Sequence, residues 1–399
     1  RSGHVTGVQT CALPILRFFE QILVSYGWEG VALAGAIVLM FGVQLYYYIF
    51  VYGRISGYKN NLRKVILERE PPVSVIVPLF AEDYTFVEER LPLILAQAYP
   101  DFEVVIVYVG HDTDFYADLT QLKQSFPQIT TTKIHLDPRF PISRKMALNV
   151  GIKSAHYEHL IFTSTDAVPQ TDRWLSLMAK GFMRGDIVVG YCGIERRRGF
   201  TNYLMRTWRL MHSADWIARA VRRRPYRGTL HNLGFTKSLY FGVNGFDHLS
   251  MNIGEDDLFM QRIMTRENVS VILSPRATLR EKTWGGMSWW MKQLRYYGSA
   301  FRFYPRDVKS FVRWELGSRS LFFLTALCAL LFLPLEYKLG VAVLVLIRYG
   351  VVVAEVRRLA LRVGEGGILG RYFLYDLLSP LWAAALGVLL LRRDERVWR

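Results

Sequence analysis

Long apolar runs at both ends of the chain limit its fold more than any other feature of the sequence. Val31–Val51 has no charged residue and is about long enough to cross a hydrocarbon core of ~30 Å as a helix. Tyrosines gather at its C-terminal end, and a basic segment runs from Arg54 to Arg69. Because aromatic rings prefer the headgroup level and basic loops stay inside, we predict a membrane span over 28–53 and a basic linker over 54–71. A buried core helix is the alternative.

The C-terminal part carries three further apolar stretches, Ser320–Leu335, Leu339–Ala354 and Tyr372–Leu391. We therefore predict C-terminal membrane helices over 318–392, in two or three spans. The second stretch contains Arg348, and an arginine costs about 2.5–3.5 kcal/mol at the centre of a membrane on insertion scales. Arg348 should snorkel to the surface, pair with another group or mark a re-entrant segment.

The charge balance is strongly basic, with 50 basic residues against 34 acidic ones and a net charge of +16. This surplus favours anionic partners, and the apolar runs favour membrane lipids over nucleic acid among them. Three isolated cysteines exclude a disulfide framework and a cysteine zinc site. The opening segment, 1–15, shares no pattern with the rest of the chain and resembles translated sequencing adapter, so we predict that it is non-native and exclude it from the fold assignment.

Between the membrane segments lies a water-soluble region, which we predict to be one α/β domain over 72–310. Helical stretches such as Lys145–Ala155 alternate with predicted strands at Val73–Phe80, at Phe102–Val109, near Lys133–Leu136 and at His159–Thr163. This alternation predicts a mainly parallel sheet covered on both faces. Ligands of such sheets bind at the carboxyl ends of the strands, so functional residues are expected there.

Acidic residues come after the predicted strands: Glu82, Asp112 and Asp166. Acids grouped at one sheet edge are costly unless a positive charge joins them. A divalent cation that bridges a diphosphate would provide that charge, since Mg²⁺ is typically held by one or two carboxylates plus substrate phosphates. Asp166 is therefore the candidate metal ligand. The alternative is that Asp166 caps a helix around Asp172–Lys180.

Two later segments also carry candidate chemistry. Gly254 is followed by Glu255, Asp256 and Asp257 at the start of a helical stretch. One of these acids can accept a proton from an attacking hydroxyl, or all three can simply favour the positive end of the helix. Trp289–Tyr297 mixes aromatic and cationic side chains, a pattern that suits both a sugar–phosphate site and a helix at a membrane surface.

The segment from Arg196 to Arg227 contains ten arginines against one acid, Asp215. Apolar residues including Leu204 and Trp208 recur at helical spacing, so most of the charge should face away from an apolar stripe. We predict an interfacial helix near 200–222 that lies on the membrane. A solvated or phosphate-binding helix and a nucleic-acid-binding helix are the alternatives.

The order of the motifs resembles that of the membrane-associated family 2 glycosyltransferases of bacteria. The motifs are VSVIVPLFAE, FEVVIVYVGHDTD, SRKMALNVGI, FTSTDAVP, GEDDL and QLRYY, and they cover roughly Pro72 to Arg302. The resemblance implies a GT-A fold, a nucleotide diphosphate sugar as donor, inversion at the anomeric carbon, and Mg²⁺ or Mn²⁺ as cofactor.

The resemblance also implies roles for individual residues. Asp256 corresponds to the catalytic base, with Glu255 and Asp257 as register alternatives, and Asp166 corresponds to a metal-binding acid. Donor and nucleotide binding is assigned to Pro78, Glu82, Asp112, Lys145, Gln293 and Arg295. Acceptor binding is assigned to His231, Asn232 and Trp289.

The sequence departs from the family pattern at three places. Tyr108 and Val109 stand where strand two usually ends in an Asp, and Ser164 replaces the first acid of the DxD motif. The QLRYY segment matches QxxRW only in part. These departures weaken the expected metal site and put a preference for uridine in doubt.

The leading hypothesis is transfer of a sugar to a lipid-linked or polysaccharide acceptor at the cytoplasmic face of a bacterial inner membrane. The expected partners are the nucleotide sugar, the acceptor and membrane lipids, without nucleic acid. The alternative is a catalytically degenerate GT-A domain that acts as a membrane scaffold. A transporter with a soluble insert is a third hypothesis, which the small number of spans disfavours.

Overall fold

The structure is a computed structural model that describes residues 13–59, 70–135, 143–247, 249, 254–283 and 285–391. Most of the predicted non-native segment and most of the predicted basic linker lie outside these residues. The chain divides into two compact units. We call Arg1–Phe50 with Ser310–Ala354 the apolar unit, and Val51–Lys309 with Glu355–Arg399 the α/β unit.

Short segments, most of them apolar, form the strands of the α/β unit, and most of their residues are buried. Three of the four strands predicted from the sequence begin at the predicted residues, whereas the strand predicted near Lys133–Leu136 begins earlier, at Ile129. The strands are β1 (Val73–Leu79), β2 (Phe102–Val109), β3 (Ile129–Ile134), β4 (His159–Phe162), β5 (Ala167–Pro169), β6 (Ile187–Val189), β7 (Cys192–Ile194), β8 (Leu233–Thr236), β9 (Val269–Val271) and β10 (Leu279–Glu281).

Helices connect and cover these strands. A π-helical segment at Tyr46–Tyr52 separates the first two helices, and another at Phe86–Arg90 precedes the third. The helices are α1 (Leu13–Leu45), α2 (Gly53–Gly57), α3 (Leu91–Leu95), α4 (Thr113–Ser125), α5 (Arg144–Ser154), α6 (Trp174–Ala179), α7 (Phe200–Val221), α8 (Lys237–Gly242), α9 (Leu258–Ile263), α10 (Met287–Phe301), α11 (Arg306–Phe332), α12 (Leu335–Arg362) and α13 (Tyr372–Leu391).

The main sheet has seven strands in the order β3-β2-β1-β4-β8-β6-β9. The pairs β2–β3, β1–β2, β1–β4 and β6–β9 are parallel, whereas β8 is antiparallel to both of its neighbours. A smaller sheet has the order β5-β10-β7. The prediction of an α/β fold with a mainly parallel sheet is confirmed.

Both faces of the main sheet are covered, as the near-continuous apolar runs predict. Val73, Val75 and Val77 of β1 pack into a core that includes side chains of α3 and α6. On the other face, α5 lies so close to β1 and β2 that a Cβ atom on Gly151 would be 2.7 Å from Cγ2 of Ile76. The alternation of side chains along each strand supplies both cores.

Three described helical segments are long and apolar enough to cross a membrane: Gly27–Gly57, Arg306–Phe332 and Leu335–Arg362. They coincide with the first apolar run and with two of the three C-terminal stretches. The third stretch forms α13, which contains Pro380 and the buried Asp376.

Arg348 of the apolar unit is buried, with 2% of its surface exposed. Its Nη2 atom donates a hydrogen bond to Oε1 of Gln44 at 2.7 Å, and its guanidinium lies 4.8 Å from the ring centroid of Phe323. Gln44 in turn donates to Oγ of Ser318 at 2.9 Å. Of the three expectations for Arg348, pairing inside the protein is the one observed, because α12 continues unbroken through this position.

The loop between α12 and α13 docks on the α/β unit through Glu365. This carboxylate accepts hydrogen bonds from Arg206 at 2.6 Å and from the Tyr191 hydroxyl at 3.0 Å, and it also pairs with Arg280. Arg280 additionally donates to the carbonyl of Gly364 at 2.7 Å. These contacts explain why the segment from Glu355 onward belongs to the α/β unit, although the sequence predicted it as part of the C-terminal membrane region.

Helix α7 falls where a helix was predicted, but its charge does not face outward as expected. Arg206, Arg209 and Arg219 are all less than 10% exposed. Arg206 pairs with Glu365, and Arg209 pairs with Glu281 at 2.7 Å. The expectation of an outward charged face is therefore wrong for these arginines, because partners from distant parts of the chain neutralise them inside the fold.

We expect Gly151→Ala to destabilise the protein by about 1–3 kcal/mol, because the added methyl group would collide with side chains of β1 and β2. This loss should exceed the gain of ~1 kcal/mol that alanine brings to a helix. Gly242→Ala is the matched control, since no atom lies within 4 Å of its added Cβ. Thermal unfolding of the purified full chain in detergent would measure both, and a Gly151→Ala protein as stable as the control would contradict the packing described.

Candidate functional site

A cavity of about 550 Å³ opens at the carboxyl edge of the parallel strands. It brings together five residues predicted from separate parts of the sequence: Pro78, Asp166, His231, Trp289 and Gln293. The other lining residues are Phe80, Arg144, Ser164, Thr165, Glu281, Lys292, Tyr296 and Tyr297.

Asp166 lies in the turn between β4 and β5. Its Oδ1 accepts a hydrogen bond from the Ser164 hydroxyl at 2.5 Å, so the residue in place of the first motif acid supports the second one. The alternative that Asp166 caps the following helix is wrong, because α6 begins at Trp174 with Arg173 at the cap position. Asp166 is therefore free to face the cavity.

Asp166, His231 and Glu281 form a cluster whose potential metal-ligating atoms all lie within 4.8 Å of one another. Glu281 comes close because β5 and β10 are antiparallel and pair Ala167 with Glu281. Burial lowers the pKa of His231, which favours the neutral imidazole that binds metals. Two carboxylates and one imidazole fit Mn²⁺ better than Mg²⁺, which prefers oxygen ligands.

Sequence reasoning missed Glu281 as a metal-site residue and assigned His231 to the acceptor. No local signal marks Glu281, because it ends a strand of three residues with a single apolar one, Leu279, and no motif surrounds it. Oε2 of Glu281 accepts a hydrogen bond from Nη2 of Arg209 at 2.7 Å. This contact fixes the carboxylate, because α7 holds the arginine in a buried position.

The three consecutive acids lie behind one wall of the cavity. Arg144 and Tyr296 line the cavity, and both contact Glu255: the guanidinium at 3.7 Å and the hydroxyl at 3.1 Å from Oε1. Oδ2 of Asp256 lies 3.3 Å from Nη2 of Arg227. The acidic loop and Asp166 are thus on the same side of the domain.

The acids differ in what remains available for chemistry. Asp257 caps α9 by accepting from the backbone N–H of Leu258 at 2.6 Å, and its other oxygen accepts from the Tyr304 hydroxyl at 2.7 Å. Glu255 and Asp257 are 1% and 2% exposed, whereas Asp256 is 8% exposed. Asp256 is therefore the most accessible of the three, and the helix-capping alternative holds for Asp257.

Burial raises the pKa of Glu255 to about 7, although the positive charge of Arg144 opposes the rise. Burial and the nearby charge of Asp256 likewise raise the pKa of Asp257 to about 6. Three carboxyl groups this close together cannot all ionise cheaply away from water. The loop is therefore able to hold a proton near neutral pH.

Helix α10 presents one face to the cavity. Trp289, Lys292, Gln293 and Tyr296 are spaced at i, i+3, i+4 and i+7, and all four line the cavity. Arg295 is exposed and does not line the cavity, because two residues correspond to about 200° of helical rotation from Gln293. The structure supports a cavity position for Gln293 and not for Arg295.

Lys145 does not line the cavity either. Its Nζ atom donates to the carbonyl of Leu249 at 2.6 Å. The preceding residue, Arg144, takes the cavity position at the start of α5, where Ser143 caps the helix. The cationic side chain at the cavity is therefore that of Arg144 and not of the predicted Lys145, because one residue on a helix changes the direction of the side chain by about 100°.

Asn232, which was predicted to bind the acceptor, lies outside the cavity lining. It is fully buried, its Nδ2 donates to the carbonyls of Tyr191 and Ala277, and its Oδ1 accepts from Nε1 of Trp174 at 2.9 Å. These bonds hold β8 against neighbouring segments. No polar atom of the side chain is left for a ligand.

Glu82 and Asp112 lie outside the cavity lining, next to the ends of β1 and β2. The carboxylate of Glu82 accepts a hydrogen bond from the Tyr108 hydroxyl, and this bond lowers the pKa of Glu82. Asp112 caps α4 by accepting from the backbone N–H groups of Asp114 and Phe115. Tyr108 thus joins two elements at the place where an Asp was expected.

This chain is similar to glycosyltransferases of known structure. The mannosyltransferase PcManGT from Pyrobaculum calidifontis, in complex with GDP-Man and Mn²⁺, has a TM-score of 0.51 and 16% identity over 88% of this chain and 99% of that chain. TarS from S. aureus has a TM-score of 0.40 and 16% identity over 73% of this chain and 83% of that chain. TarS in complex with UDP-GlcNAc has a TM-score of 0.39 and 15% identity, over 78% and 92%.

No protein-family model matches the sequence, and no curated protein matches it. The similarity to the mannosyltransferase therefore concerns the fold. Together with the sheet order and the candidate spans, it shows a glycosyltransferase fold flanked by apolar helices, as the order of the sequence motifs predicted.

The raised pKa of Glu255 gives a testable pH dependence. The carboxyl group has a pKa near 4.5 in the unfolded chain and about 7 in the folded one, so its ionisation destabilises the protein as pH rises through this interval. Glu255→Gln lacks this penalty. The difference in free energy of unfolding between Glu255→Gln and wild type should therefore shift in favour of the variant by up to about 3 kcal/mol between pH 5 and pH 8.

Thermal unfolding at several pH values would measure this difference, with the exposed Glu267→Gln as the matched control. A constant offset between Glu255→Gln and wild type across the whole range would contradict the raised pKa.

Proposed function

We propose that the chain is an inverting glycosyltransferase that moves a sugar from a nucleotide diphosphate sugar to an acceptor hydroxyl. The observation that carries the proposal is one cavity in which a potential metal cluster, two cationic side chains and an aromatic face meet, with acids directly behind its wall. The glycosyltransferase fold supports the same reaction class.

Donor binding is assigned to the metal cluster and its surroundings. A divalent cation held by Asp166, His231 and Glu281 would neutralise negative charge on the leaving diphosphate. Arg144 and Lys292 line the same cavity and suit phosphate oxygens. His231 is thus proposed as a metal ligand and no longer as an acceptor-binding residue, and Mn²⁺ is proposed as the preferred ion.

Asp256 is proposed as the catalytic base. The acceptor oxygen attacks the anomeric carbon, the bond to the diphosphate breaks, and the hydroxyl proton passes to the carboxylate. Arg227 orients this carboxylate, which is 8% exposed and is the most exposed of the three acids. Glu255 is the alternative base, since a pKa of about 7 suits proton transfer at neutral pH.

The acceptor is proposed to be a lipid-linked sugar or a polysaccharide at the cytoplasmic face of a bacterial inner membrane. The candidate spans that come before β1 and after α10 along the chain support membrane attachment, and the basic residues after the first span support the inner face. Trp289 and Tyr297 offer flat apolar surfaces for sugar rings.

A degenerate scaffold protein is the second candidate. Tyr108 replaces the expected base-binding Asp, and Ser164 replaces the first motif acid. The cluster that includes Glu281 speaks against this candidate, because it restores a second carboxylate to the site. Metal-dependent transfer or hydrolysis of a nucleotide sugar at any rate would exclude the scaffold.

We expect Asp166→Asn to weaken Mn²⁺ binding by at least about 10- to 100-fold, the loss already typical of changes around metal ligands. Electron paramagnetic resonance of free Mn²⁺ in the presence of the purified chain measures this without a substrate. Asp172→Asn, which changes an exposed acid outside the cavity, is the matched control. Equal affinity in both variants would remove Asp166 from the metal site.

We expect Asp256→Asn to lower the rate of sugar transfer by about 10²- to 10⁴-fold, because the acceptor hydroxyl loses its base. Transfer from GDP-mannose and UDP-GlcNAc, with Mn²⁺ or Mg²⁺, is the assay, and thermal stabilisation by the donor shows that binding persists. Full transfer by Asp256→Asn with loss in Glu255→Gln would assign the base to Glu255. Full transfer by both variants would overturn the mechanism.

A further inference from the structure

A second cavity, of about 410 Å³, is lined by residues that the nucleotide-sugar site does not use. Four arginines line it, Arg219, Arg223, Arg224 and Arg266, against one carboxylate, Asp307. We call it the arginine cavity. We infer that the arginine cavity binds a phosphoryl group at the membrane surface, most directly the headgroup of an anionic phospholipid.

The charges of this cavity are not balanced within the described part of the chain. Arg219 is buried and pairs with Asp307, so this carboxylate is already occupied. Arg223, Arg224 and Arg266 are exposed and have no carboxylate within 4.0 Å among the described residues. Converging guanidinium groups without counter-charge favour an anion, and their planar donor geometry suits phosphate.

The backbone conformation of Arg223 indicates that its side chain has a function. Arg223 has a φ of 57°, in the left-handed region that glycine occupies at low cost and that other residues rarely adopt. The position comes just after the C-terminal end of α7, where glycine commonly ends helices. An arginine here accepts backbone strain, and strain of this kind is typical of binding sites.

The position along the chain points to the membrane surface. Asp307 lies in the first turn of the candidate span Arg306–Phe332. Tyr58 comes directly after the candidate span Gly27–Gly57; burial raises its pKa, and the charges of Arg184 and Arg223 oppose that rise. The cavity is therefore near the ends of two candidate spans, at the level where lipid phosphates lie.

An alternative explanation is that these arginines only offset the negative end of the α7 dipole. Arg219 does donate a hydrogen bond to the carbonyl of Arg224, so part of this role is present. The two explanations predict opposite results for one substitution. If Arg223 only stabilises the C-terminal end of α7, its replacement by glycine changes the thermal stability by the same amount with and without lipid.

The test uses the purified full chain in a zwitterionic detergent and measures thermal unfolding at constant ionic strength. Phosphatidylglycerol, phosphatidylcholine and inorganic phosphate are added in separate titrations. We expect phosphatidylglycerol to stabilise the wild type more than phosphatidylcholine does. Arg223→Gly should be at least as stable as wild type without lipid, yet need about tenfold more phosphatidylglycerol for the same stabilisation, because one charged hydrogen-bonding group is lost.

The double variant Arg223→Gln/Arg224→Gln should lose most of the lipid effect, whereas Arg173→Gln/Arg198→Gln removes the same charge from exposed positions outside the cavity and should retain it. Equal stabilisation by inorganic phosphate, lost in the same double variant, would support the phosphoryl site and assign it to a soluble ligand. Absence of any stabilisation of the wild type, or equal behaviour of the two double variants, would overturn the proposal.

Discussion

A charged carboxylate removed from water is costly unless a positive group joins it, and this constraint organises the α/β unit. Arg144 lies beside Glu255 at the cavity wall, and Arg209 holds Glu281 in the metal cluster. Removing one partner of a pair that is buried on both sides, as Arg209 and Glu281 are, typically costs about 3–5 kcal/mol, because the other charge is left buried and alone. Each pair joins elements that are distant in sequence. The geometry of the candidate site therefore depends on these pairs as much as on the strands.

Helix α7 illustrates how one element serves several of these pairs. Arg206 and Arg209 are three residues apart and so share a helix face. One reaches Glu365 in the loop before α13, and the other reaches Glu281 at the end of β10. Because Arg280 also pairs with Glu365, the residue next to the candidate metal ligand is tied to that same loop. Part of the excess positive charge of the sequence is thus neutralised inside the fold, and part of the rest belongs to the residues of the arginine cavity.

Several features predicted from local sequence agree with the structure. The apolar runs that became β1, β2 and β4 begin at the predicted residues, because a strand buried on both faces has to be apolar almost throughout. Asp166 faces the cavity because acids after parallel strands reach one edge. The differences concern the direction of side chains, since Arg144 lines the cavity where Lys145 was predicted, and Gln293 lines it whereas Arg295 does not. Motif spacing does not distinguish helix positions one or two residues apart, although these positions point in different directions and only some of them can contact a ligand.

The sequence by itself determined the class of fold, the candidate spans and the edge of the sheet at which chemistry is expected, since periodicity and apolar length are local properties. Only the tertiary structure decided which charges are paired. Glu281 lies next to Asp166 because β5 and β10 are antiparallel neighbours. The side chain of Asn232 makes hydrogen bonds to three buried partners. Such contacts link residues far apart in the chain, and no local pattern encodes which distant group will satisfy a buried charge or hydrogen bond.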